Sequence, residues 1–132
     1  MLTNVVIDQS RTFAGLVFLS CAPKMKFGSK TEQDRTKDGV PKWEVEVLGA
    51  TYTPFGGTAN EVVKVGINAV SDPCEGIPAF SPIELGSFSF GVLEKKRKDR
   101  DTGVEQIVGI SVFFRADEVK LAGQAPTAAK AA

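Results

Sequence analysis

The sequence predicts an all-β protein, built as a small closed barrel of five strands. Three observations point there. Apolar and polar side chains alternate with period two in several long runs, the mark of half-buried strands. Helix-period patterning is almost absent. The runs are long and interrupted by Pro or Gly, which favours strands that bend around a barrel over the strands of a flat sandwich. At 132 residues the chain is sized for one core. The barrel is expected over residues 1–121, with a flexible tail, AGQAPTAAKAA, over residues 122–132.

Each element follows from local pattern. Residues 1–11 are a lead-in whose Val5-Val6-Ile7 run suits at most an edge strand. Residues 12–27 form the first strand. Phe13, Gly15, Val17, Leu19 and Cys21 share one face and Ala14, Leu16, Phe18 and Ser20 the other. Both faces are largely apolar, so burial on both sides is expected. Pro23 predicts a bend or bulge, after which Lys24 and Lys26 alternate with Met25 and Phe27. Residues 28–41 are a polar loop in which Lys30, Arg35 and Lys37 face Glu32, Asp34 and Asp38, and Asp38-Gly39 is a turn signal.

The second strand spans residues 42–52, with Trp43, Val45 and Val47 on one face and Glu44, Glu46 and Leu48 on the other. Trp43 heads the apolar face and suits either a core edge or a stacking platform. Residues 52–57 turn the chain into a third strand, residues 59–70, where Val63, Val65, Ile67 and Ala69 oppose Val62, Lys64, Gly66 and Asn68. Residues 71–85 hold Pro73, Gly76, Pro78 and Pro82. They read as an irregular connector across the barrel, with Phe80 plugging an open end. Residues 86–121 form a long hairpin. Its arms are residues 87–94 and 105–119, and its tip, residues 95–103, carries five basic and two acidic side chains and ends at Gly103.

Composition narrows function. Lys+Arg and Asp+Glu both number 16, so attraction to phosphate must come from local patches. Histidine is absent, which removes the usual neutral-pH proton shuttle and the commonest zinc ligand. No nucleophile-elbow, phosphate-loop, dinucleotide or metal-carboxylate motif is present. The chain therefore reads as a non-enzyme without cofactor or metal. Cys21 and Cys74 are either buried thiols or a pair, with buried thiols favoured because nothing points to secretion. No stretch approaches the roughly 18 apolar residues of a membrane helix. A soluble cytoplasmic protein without a membrane partner is the expectation.

The strand order, one long bent strand followed by two hairpins, fits an OB-fold, a five-stranded Greek-key barrel. A seven-stranded sandwich that recruits residues 5–7 is the alternative. Three stretches make the chain resemble single-stranded DNA-binding proteins of the bacterial type: DGVPKWEVEVLG (residues 38–49), GSFSFGVLEKKRKDRDTGVEQ (residues 86–106) and VFFRADEVKL (residues 112–121). The family's acidic C-terminal tip is missing, and the helix expected between strands three and four is replaced by a proline-rich connector. Those departures point to a small accessory binder, from a phage, plasmid or other mobile element, serving replication or recombination.

The resemblance implies non-sequence-specific binding of single-stranded DNA, through a basic groove and stacking aromatics. Trp43, Tyr52, Phe55 and Phe113 are the stacking candidates, with Arg115 sharing the face of Phe113. Lys24, Lys26, Lys30, Arg35, Lys37, Lys42 and Lys64 are the phosphate candidates, together with Lys95, Lys96, Arg97, Lys98 and Arg100 at the tip. The bland reading of each aromatic is core packing, and of each lysine row a soluble sheet edge. A homo-oligomer is expected. The competing reading is a β-rich self-assembling or protein-interaction module, such as a virion or replisome subunit.

Overall fold

The computed structural model describes residues 3–122 of the chain. The elements follow as β1 (Val5–Val6), α1 (Gln9–Thr12), β2 (Phe13–Pro23), β3 (Lys42–Tyr52), β4 (Thr58–Asn68), β5 (Ile83–Gly86), β6 (Ser89–Lys98), β7 (Glu105–Arg115) and β8 (Glu118–Leu121). Six strands form one sheet in the order β1-β6-β7-β4-β3-β2, curled into a half-barrel, and β5 and β8 form a separate two-stranded ribbon. The all-β expectation holds. The count of five strands does not: β5 and β8 are not legible in the sequence as separate strands, and β1 reads there only as an optional edge.

The β3–β4 hairpin is the regular centre. Its register runs unbroken from Lys42↔Asn68 to Tyr52↔Thr58, and its turn uses the positive φ of Gly56 and Gly57. Val45, Val47, Val65 and Ile67 project inward and are essentially fully buried. Burying side chains of this size contributes about 1.5–3 kcal/mol each. Phe88 extends the core through its rings' approach to Phe13 and Phe114, at centroid distances of 6.0 and 5.9 Å.

β2 departs from the simple alternation. Its pairing with β3 slips between Phe13 and Gly15 and again between Phe18 and Ser20. Each slip inserts one extra residue and exchanges the faces. Phe13, Leu16 and Phe18 are therefore all buried, although strict alternation puts Phe13 opposite the other two. β2 also ends at Pro23 and does not reach residue 27. Beyond it only single bridges occur, Met25↔Gln33 and Arg35↔Pro41.

The connector supplies core in a different way from the expected Phe80 plug. Phe80 is 72% exposed and sits at φ +66°. Cys74, Ile83 and Leu85 are the buried residues here. The connector runs along the free edge of β2, where the Phe18 N–H donates to the Ser81 carbonyl at 2.9 Å and the Phe80 N–H donates to the Phe18 carbonyl at 2.6 Å. It then forms β5, which pairs with β8 from Ile83↔Leu121 to Gly86↔Glu118. The expected fifth strand is thus two strands, broken at Ala116 and Asp117, whose N–H groups donate to the Gly66 and Gly86 carbonyls.

Two pairings set the curl. β7 lies parallel to β4 through Val65↔Phe114 and Gly66↔Arg115. β1 pairs with β6 through Val5↔Phe90 and Val6↔Ser89, as the edge strand allowed for residues 5–7. The Asp8-capped turn α1 then leads into β2, so one stretch of chain touches both ends of the sheet order. Among the described residues no helix is long and apolar enough to cross a membrane. The tail expected over residues 122–132 lies, beyond Ala122, outside the described residues.

Candidate nucleic-acid interface

The outer face of β3, β4 and β7 carries a cleft of about 640 Å³. Strand pairing decides who reaches it. Lys42↔Asn68 and Glu44↔Gly66 place these four side-chain positions on one face. The parallel pair Gly66↔Arg115 brings β7 onto the same face, and Gly91↔Phe113 and Leu93↔Ser111 add the wall contributed by β6. Lys24, Thr36 and Lys37 from the loop between β2 and β3 close the other side. Five cations, Lys24, Lys37, Lys42, Lys64 and Arg115, meet one anion, Glu44, in this lining. A chain of zero net charge thus concentrates positive charge locally, which is what a polyanion reads.

The backbone beneath the loop cations is tied down. Backbone bonds tie the loop root together: the Lys24 N–H donates to the Lys42 carbonyl, the Lys42 N–H to Asp34 and the Asp34 N–H to Lys24, at 3.0, 2.9 and 2.7 Å. The Lys42 ammonium also lies 3.4 Å from the Asp34 carboxylate. Desolvation opposes ionisation of that carboxyl, but the Arg35 N–H and Lys42 outweigh it and leave its pKa below the ordinary value. Lys37 rides a turn closed by the Gly39 N–H on the Thr36 carbonyl at 2.9 Å. Lys64 is 4.0 Å from Glu44, and both are well exposed, so that pair is weak and easily exchanged for a phosphate.

Three aromatics, Trp43, Phe113 and Phe114, border the cleft. Phe113 lies over Gly91, where an added Cβ would strike its ring. The Arg115 guanidinium sits 5.1 Å from the ring centroid and donates to the Thr3 carbonyl at 2.9 Å. Ring and guanidinium form a fixed platform worth about 0.5–1 kcal/mol at an exposed site. Trp43 is half-buried. It belongs to the core-facing row of β3, yet it stands at the strand's end and borders the cleft. Its indole N–H donates to the Ala69 carbonyl at 2.9 Å, which fixes the ring. Trp43 thus stands at the edge of the core, with its ring beside the cleft.

The other expected residues fall elsewhere. Tyr52 and Phe55 are exposed, at 54% and 98%, but nine residues of extended β3 separate Tyr52 from Trp43, roughly 30 Å. Lys26 pairs with Glu32 at 3.2 Å. Arg35 donates to the Gly39 carbonyl at 3.0 Å, inside its own loop, and Lys30 is exposed further out. The basic tip differs from expectation in length, because β6 continues through Lys98. Only residues 99–104 form the loop. Along β6, Lys95 and Arg97 alternate onto the face of Leu93, whereas Lys96 and Lys98 take the opposite face. Arg100 lies in the loop. Lys95, Lys96, Arg97, Lys98 and Arg100 all reach solvent.

Thr36, Glu44, Gly66, Asn68 and Leu93 also line the cleft without having stood out in the sequence. Gly66 carried the one usable signal, a glycine inside a strand, which often marks close approach to the backbone. Comparison with protein-family models, with curated proteins and with solved structures found no match.

Proposed function

We propose that this chain binds single-stranded DNA without sequence specificity, on an OB-like barrel, in support of replication or recombination. The cleft carries the reading: five cations and the Phe113 ring gather around one strand face, with Trp43 at its end, flanked by the loop after β2 and the hairpin of β6 and β7. Small barrels of this kind bind oligonucleotides on the same face and with the same two loops. The sheet order, with the chain's first residues pairing to β6 and β7 parallel to β4, further supports the OB-like reading. Phosphates would meet Lys24, Lys42, Lys64 and Arg115, and a base would stack on Phe113, at about 1–3 kcal/mol per base. Neutralised phosphates make the affinity fall with salt.

Titration of the sole tryptophan's fluorescence with a poly-pyrimidine strand, together with anisotropy of the labelled strand, tests this at two salt concentrations. Salt-sensitive binding that is weak for a duplex of equal length is expected. Flat signals in both channels overturn it. Gly66→Leu sharpens the test. A Cβ at Gly66 meets only the Phe114 carbonyl, at 3.6 Å, so the larger side chain fills the cleft without straining the backbone. A loss of affinity of about tenfold or more is expected, with Tm unchanged. Full affinity in a folded Gly66→Leu variant moves the site elsewhere.

The assembly reading has its own observation. Ile107, Val108, Ile110 and Val112 are 51–64% exposed along the arm of β7. A bare apolar ribbon of this kind invites self-association. Light scattering without oligonucleotide separates the two: concentration-dependent mass that Ile110→Lys abolishes supports assembly through the arm.

A further inference from the structure

The structure assigns a soft-metal site to Cys21, Asp72 and Cys74, with Zn²⁺ as the ion the donor set fits. Their sulfur and carboxylate atoms all lie within 4.8 Å of one another, although 50 residues or more separate Cys21 from the other two. Tetrahedral zinc, with Zn–S near 2.3 Å and Zn–O near 2.0–2.2 Å, needs ligand atoms roughly 3.5–3.8 Å apart. Small side-chain rotations close the difference.

The three donors stand on restrained backbone. Cys21 is in β2, paired across to Val45. Asp72 and Cys74 flank Pro73, whose ring fixes its φ. The Cys74 N–H donates to Asp72 Oδ1 at 2.8 Å, which turns the carboxylate back toward the thiols. The Ile77 N–H donates to the Cys74 carbonyl at 3.1 Å and closes the turn. Exposure is graded: Cys74 is buried, Cys21 half-buried and Asp72 exposed. An ion therefore enters past Asp72, and the fourth position of a tetrahedron faces water. Two sulfur donors select zinc or another thiophilic ion over Mg²⁺ or Ca²⁺, which take oxygen ligands. Both cysteines are free thiols, and burial pushes both thiols up, Cys74 to about 11. The ion must displace those protons as it binds. Once bound, it ties the connector after β4 to β2.

The full chain, reduced with a phosphine, is titrated with Co²⁺ and then with Zn²⁺. One Co²⁺ per chain should give a sulfur-to-cobalt charge-transfer band, and Zn²⁺ should bleach it. Cys21→Ser and Cys74→Ser should each remove the band. Asp72→Ala, which leaves both sulfur donors, should keep it but weaken uptake. In the unmodified chain, saturating Zn²⁺ should raise Tm and shield both cysteines from iodoacetamide, read by peptide mass mapping; this arm stands even where a serine variant fails to fold. A missing band with both thiols reduced overturns the site, as does a band unchanged in Cys21→Ser or an absence of shielding. Thiols that are lost in air as a disulfide, with no zinc uptake after reduction, identify an oxidisable pair instead.

Discussion

At the scale of single residues, the cleft depends on two glycines whose roles differ. Gly66 leaves room on the cleft floor. Gly91 leaves room for the Phe113 ring and for the Thr3 carbonyl, which would lie 2.8 Å from an added Cβ. Gly91→Ala is therefore expected to displace the Phe113–Arg115 platform and the bond from Arg115 to Thr3 together. Overpacking of this kind costs about 1–3 kcal/mol, which urea unfolding measures. Oligonucleotide affinity should fall in the same variant, and Phe113→Ala should weaken binding by about 1–3 kcal/mol with a smaller effect on stability, since Phe113 is only half-buried. Equal losses of stability in both variants make Phe113 a packing residue. The role of Gly91 was not legible in sequence, where it reads as one polar position in an alternating arm.

At the scale of elements, the β6–β7 hairpin divides its basic residues between two faces. Lys95 and Arg97 continue the row of Leu93 from the cleft out to the tip, and Lys96 and Lys98 oppose them. Paired reversal to glutamate at 95 and 97 should weaken single-strand binding several-fold more than reversal at 96 and 98. It should also lower the salt slope by about 0.7 for each phosphate that is no longer neutralised. Anisotropy across a salt series reads both, and equal effects of the two pairs place the tip outside the site. A register slip between Lys95 and Lys96 leaves Val108 without a partner and adds local twist. The alternation that made this hairpin visible was real, but its outer half is exposed on both faces rather than half-buried. The β3–β4 hairpin shows the opposite case. Its bounds were readable to within a residue or two because an unbroken alternation meets a glycine turn, with no bulge to exchange the faces.

At the scale of the whole molecule, a short N-terminal seam controls the curl of the sheet. Val5 and Val6 pair with β6, the Ile7 N–H donates to the Phe88 carbonyl at 3.0 Å, and Ile7 packs on the core. The Gln9 side chain then bonds both the N–H and the carbonyl of Leu85 in β5. Removing residues 1–7 deletes the β1 pairing and the Ile7 anchor while leaving the long hairpins intact. A destabilisation of about 2–4 kcal/mol is expected, from half-buried Ile7 and the missing backbone bonds, seen as a lower urea midpoint with far-UV dichroism still β-rich. An unchanged midpoint makes the seam dispensable.

The amino-acid sequence by itself determined the all-β class and the β3–β4 hairpin with its inward valine row, because period-two alternation and glycine turns are local properties. It also named Lys24, Lys37, Lys42, Trp43, Lys64, Phe113 and Arg115, all of which line the cleft. Tertiary structure alone decided that these converge and that Tyr52, Phe55 and Lys26 do not. It alone placed Phe80 outside, moved Phe13 and Leu16 onto one face through a bulge, and brought Cys21 to Asp72 and Cys74. Convergence of residues far apart in the chain follows from register, parallel pairing and bulges. Those are settled by how strands pack against one another, and no run of side chains in a single strand records them.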